Sequence, residues 1–118
     1  MTETLVLHIG GSFDDDRARI LAAAHRAESG QPITPEAHIS FENWPLFFRT
    51  MTPTRVDILR EVHAYPPRSV RALALTLGRD YRRVHADVAA LVAAGLLARH
   101  GTGLTAGFDI DRADITAA

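Results

Sequence analysis

Apolar residues come in short, irregular clusters up to Met51 and at a regular helical spacing after Thr52. Residues 4–9 (TLVLHI) are rich in β-formers and precede Gly10-Gly11-Ser12, which reads as a strand and then a turn. A weakly amphipathic helix should follow. Asp14, Asp15 and Asp16 suit its positive end, Ile20, Leu21 and Ala24 are its best apolar face, and Gly30-Gln31-Pro32 stops it after Ser29. Residues 38–41 read as a second short strand. Trp44, Leu46, Phe47, Phe48 and Met51 are too dense a cluster for a surface, so residues 43–50 are expected to form a short buried helix.

From Thr52 the punctuation repeats. Thr52-Pro53 supplies an N-cap and a proline at the first helical position, with Val56, Leu59 and Val62 on one face of a helix that ends before Pro66-Pro67. Ser69 caps a second helix with Leu73, Ala74 and Leu77 inward, and Gly78 supplies the left-handed residue of a sharp turn. Asp80 caps a third helix reaching Ala94, with Val84, Val88, Leu91 and Val92 inward and Gly95 as its stop. Residues 96–100 and 104–108, around Gly101-Thr102-Gly103, form a β-hairpin. The predicted fold is α+β. A winged helix-turn-helix over residues 52–118 follows an N-terminal strand-helix-strand-helix extension, residues 1–51, used for dimerisation and partner contact.

Charge sharpens this division. The net charge of −1 separates into −3 over residues 1–51, +4 over residues 55–100 and −2 in the tail. A charge of +4 is modest for a nucleic-acid binder, so the placement of the arginines carries the argument. A helix-turn-helix sets the start of its second helix in the major groove. At 100° per residue from the apolar face, Arg82 lies roughly 140° away, Arg83 about 120° and His85 about 80°, so these three are the base-reading candidates. The competing reading is a solvated face in which Arg83 pairs with Asp87 four residues on. Tyr81, about 40° from the core direction, is expected half-buried with its hydroxyl free for a phosphate. Arg68, Ser69 and Arg71 at the start of the second helix, Arg79 in the turn, and Arg99 and His100 at the wing tip are spaced as phosphate contacts.

The stretch SVRALALTLGRDYRRVHADVAALVAAGLL, residues 69–97, closely resembles the MarR-like winged-helix transcriptional regulators that serve as antitoxins of toxin–antitoxin operons, the TumA-like kind. The likeness extends upstream through TPTRVDILREV and, more loosely, to the strand-Gly-Gly-Ser opening. Ala86 and the Ala106-Gly107-Phe108-Asp109 segment are its departures from the family's pattern. The resemblance implies binding of a palindromic double-stranded DNA operator, dimerisation through the N-terminal part, and a cognate toxin protein as partner. Leu5, Leu7 and Ile9 on the first strand, with Trp44, Phe47 and Phe48, are the expected dimer contacts, because the strand has few local partners and the aromatic cluster exceeds what a small winged helix can cover.

Catalysis has little support. The six histidines are dispersed, with no HExxH or G-x-S-x-G pattern, and the three aspartates after Gly10-Gly11-Ser12 would repel a bound phosphate. The chain has no cysteine, which removes thiolate chemistry and sulfur-ligated zinc; no catalytic residue, metal or cofactor is expected. No apolar run suits a membrane span or signal peptide, so no membrane partner and a cytoplasmic location are expected. The alternative function is a winged helix that binds only proteins.

Overall fold

Three helices after Thr52 form because side-chain caps and one apolar face per helix act together. The computed structural model describes residues 3–11, 13–30 and 35–117. Ser12, Gln31 and Pro32, invoked above for a turn and a helix stop, lie outside the described residues, as do the side chains of Asp14, Asp15 and Asp16. Thr52, Ser69 and Asp80 each accept the backbone N–H three residues on, from Arg55, Ala72 and Arg83. They open α3 (Pro53–Ala64), α4 (Val70–Leu77) and α5 (Tyr81–Ala93). Between α4 and α5, Gly78 sits at φ 63°, a left-handed conformation that a side chain would resist.

Ile58, Leu59 and Val62 from α3, Val70, Leu73 and Ala74 from α4, and Val84, Val88 and Leu91 from α5 share one core. Val56, expected inward, is only half-buried, and Ile58 is buried in its place. Strands β3 (Ala98–His100) and β4 (Gly103–Thr105) form an antiparallel hairpin, shorter than the alternation suggested. Its turn is pinned to the bundle. The Leu104 N–H donates to the Pro67 carbonyl at 3.1 Å, and a Cβ on Gly103 would lie 2.9 Å from that same oxygen, so the close approach requires glycine.

The N-terminal half contains β1 (Thr4–Ile9), α1 (Phe13–Glu28), β2 (Glu36–Phe41) and α2 (Trp44–Thr50). Here the structure corrects the dimer contacts. Strand β1 lies between β2 and β5 (Asp114–Ala117), parallel to both, so its hydrogen-bonding edges are filled within the chain. Leu5, Leu7 and Ile9 are at most 2% exposed and belong to the common core, which leaves them no surface for a second copy. Residues 114–117 complete the N-terminal sheet, and one core serves both sides of residue 51. Helix α2 is capped by Asn43 but buries only Phe47; Trp44 and Phe48 stack on one another at 5.8 Å and stay exposed. Among the described residues the chain is thus α+β, with five α-helices and a small parallel sheet, an architecture compatible with a winged helix. Among the described residues no helix is long and apolar enough to cross a membrane.

Two stability outcomes follow. Leu7→Ala should cost about 2–5 kcal/mol, and urea unfolding followed by Trp44 fluorescence and by circular dichroism should stay coincident, because sheet and helices share a core. Separate transitions would show that residues 1–51 unfold alone. Ser69→Ala should cost about 1 kcal/mol through loss of the α4 cap, measured in the same titration.

Candidate nucleic-acid interface

Burial of Val84, Val88 and Leu91 leaves Arg82, Arg83, His85, Ala86 and Ala89 on the exposed side of α5. The pairing of Arg83 with Asp87 that the competing reading required is absent among the described residues. Asp87 instead receives the Arg55 Nε–H at 3.0 Å, and the Arg55 Nη1 donates to the carbonyls of Arg49 and Thr50. Both partners are about one-fifth exposed, and the pair ties α3 to α5 while occupying the Asp87 carboxylate. Arg82 and Arg83 have no carboxylate partner among the described residues. Asp80, beside them, is the helix cap.

Around this helix start, contacts join the other cations into one surface. The Arg71 guanidinium lies over the Tyr81 ring at 4.9 Å, and that ring meets His85 at 5.8 Å. Arg71 thereby links α4 to the first turn of α5. Tyr81 is 40% exposed, close to the partial burial expected of it. The Thr102 hydroxyl donates to the Arg68 carbonyl at 2.8 Å, which holds the hairpin turn beside the start of α4. Arg99 and His100 are exposed on β3 next to that turn. Arg71 on α4 thus meets Tyr81 on α5, where Arg82, Arg83 and His85 also lie, and the Arg68 loop holds the hairpin that carries Arg99 and His100.

Two of the sequence candidates have other duties. Arg79 donates from Nη2 to Asp57 at 2.9 Å and from Nη1 to the Thr54 carbonyl, so its guanidinium braces the turn against α3. The hydroxyl of Ser69 accepts the Ala72 N–H as the α4 cap. The Ser69 cap was readable from the sequence, but the Arg79 duty was not visible in spacing, because both its partners lie more than twenty residues away. Asp57 also takes Arg60, whose second partner, Asp111 at 2.7 Å, raises the Arg60 pKa first by hydrogen bonding and then by charge.

A second polar cluster escaped the sequence reading. On the open face of the sheet, His38 bonds to His8 and to Glu36, each at 2.8 Å. Strand alternation places all three on that face, but only the parallel register brings the two histidines together. Among the described residues no group of three or more such side chains is arranged to hold a metal ion.

Neither a curated protein nor a solved structure matches the chain. Residues 50–110, which run from the end of α2 through α3, α4, α5 and the hairpin, match the family HVO_A0114. That match spans slightly more than half of the chain and contains all the exposed cations gathered above, and on it the chain belongs to the HVO_A0114 family.

Proposed function

We propose that the protein is a sequence-specific DNA-binding regulator that uses α3 to β4 as a winged helix-turn-helix and acts as a dimer on its own promoter. One observation carries this reading: the exposed first turns of α5 present Arg82 and Arg83 without a carboxylate partner among the described residues, while Asp87 is held by Arg55. Two adjacent guanidinium forks on a slim, alanine-backed helix suit bidentate contact with guanine O6 and N7 in a major groove. Arg68, Arg99 and His100 flank the helix as phosphate contacts, and Arg71 acts through Tyr81 as well as through charge.

An antitoxin role forms part of the proposal. It is supported by the resemblance of residues 69–97 to MarR-like antitoxins and by the acidic balance of residues 1–51, a surface suited to a basic partner. Co-expression of the full chain should then relieve the toxicity of a neighbouring gene product. Failure to do so would reduce the role to that of a plain repressor.

Arg82→Ala or Arg83→Ala should weaken operator binding by about 1–3 kcal/mol without lowering the melting temperature. Arg79→Ala should instead act mainly on stability, by no more than about 1 kcal/mol given its partly exposed partner. Anisotropy titration of a labelled promoter fragment at ~0.2 M salt, where a nonspecific cationic surface loses most of its affinity, separates specific binding from a protein-only role. Parental affinity in both α5 variants would overturn the reading.

A further inference from the structure

Helix α1 is the crossover between two parallel strands, a position in which a helix normally packs against its own sheet. This one does not. Every described side chain from residue 17 to residue 28 is exposed except Arg19, which is half-buried, and Ile20 and Leu21 are 69% and 59% exposed. A sixteen-residue helix whose described side chains, residues 17–28, form no buried face is marginal in water, so α1 needs a surface on which to pack.

Two features select a second copy of the chain as that surface. The midpoint of Phe13–Glu28 falls between Ile20 and Leu21, the place where a two-fold axis would set an apolar pair against itself. Charge then fixes the direction. Residues 14–16 are all aspartate, while the last turn carries His25 and Arg26 beside Glu28, so an antiparallel copy keeps the two acidic helix starts apart, whereas a parallel copy opposes them. Opposed helix dipoles favour the same direction. Ala23, Ala24 and Ala27 lie within about 60° of Ile20 around the helix, keeping that side slim enough for close approach.

We infer that α1 is the dimerisation element, with two copies crossing antiparallel at Ile20 and Leu21. This deepens the dimeric part of the reading above and rests on it, but not on what α5 binds. The native chain has no cysteine, so single introduced thiols report the geometry. Leu21→Cys, at the axis, should give a disulfide-linked dimer under mild oxidation. Ala27→Cys should not, because the antiparallel crossing separates the two thiols by about 20 Å; efficient linkage at that position would overturn the antiparallel arrangement. In light scattering at micromolar concentration the parent should have twice the mass of an Ile20→Glu/Leu21→Glu variant, which should still unfold cooperatively because both positions are exposed in the single chain. A monomeric parent, or a variant that remains dimeric, would refute the proposal. Halving of the mass by Phe48→Glu alone would assign the interface to α2 instead. Loss of operator binding by a chain that still dimerises would count against the α5 reading and leave α1 in place.

Discussion

Burial of one side of α5 is the constraint on which the candidate surface depends. Val84, Val88 and Leu91 are each fully buried with Ile58, Leu59 and Val62, and burying a side chain of this size stabilises by about 1.5–3 kcal/mol. The Arg55–Asp87 pair, partly open to solvent, adds far less than three such side chains. Apolar packing therefore fixes the rotation of the helix, and the ion pair decides which charges remain available on its outer side. Exchanging a buried valine for a polar residue would disturb the candidate surface without removing any side chain from it.

The same core explains why the N-terminal half is not an appendage. Leu5, Leu7 and Ile9 alternate with the outward residues of β1, and Ile39 from β2 reaches to where a Cβ on Gly95 would lie 3.2 Å from it, at the end of α5. The sheet thus packs beside the C-terminal end of the helix whose opposite end carries Arg82 and Arg83. A parallel strand added by residues 114–117 closes the remaining edge of β1. Strand β1 and the helix bundle share one core, and a change in the sheet has a direct packing route to α5.

What was legible in the sequence was local. Caps three residues before their N–H partners, a left-handed glycine and a 3.6-residue apolar period are all written within a few positions, so α3, α4, α5 and the outward direction of Arg82, Arg83 and His85 could be read directly. The pairing of distant segments could not. Strand β5 is exposed at all four positions and carries no strong strand pattern, so nothing in DITA announces that it completes a sheet begun more than a hundred residues earlier. Without β5, β1 looked short of partners, and its apolar side was assigned to another chain. Trp44 and Phe48 misled in the opposite sense: aromatic density suggested burial, but a seven-residue helix offers only one narrow inward side, which Phe47 fills.

Ion pairing sorts the arginines in a way that net charge conceals. Arg55 and Arg79 are engaged by Asp87 and Asp57, and Arg60 bridges Asp57 and Asp111, so these cations and acids largely cancel along α3. Arg68, Arg82, Arg83 and Arg99 lack such partners among the described residues, and Arg71 faces a ring instead of a carboxylate. With a screening length of about 8–10 Å at ordinary salt, a phosphate near the start of α5 responds to these local charges and hardly to the aspartates elsewhere in the chain. A protein of net charge −1 can therefore present a positive face, because two of the four acids of its cationic segment, Asp57 and Asp87, are spent on arginines that serve the fold and a third, Asp80, caps α5.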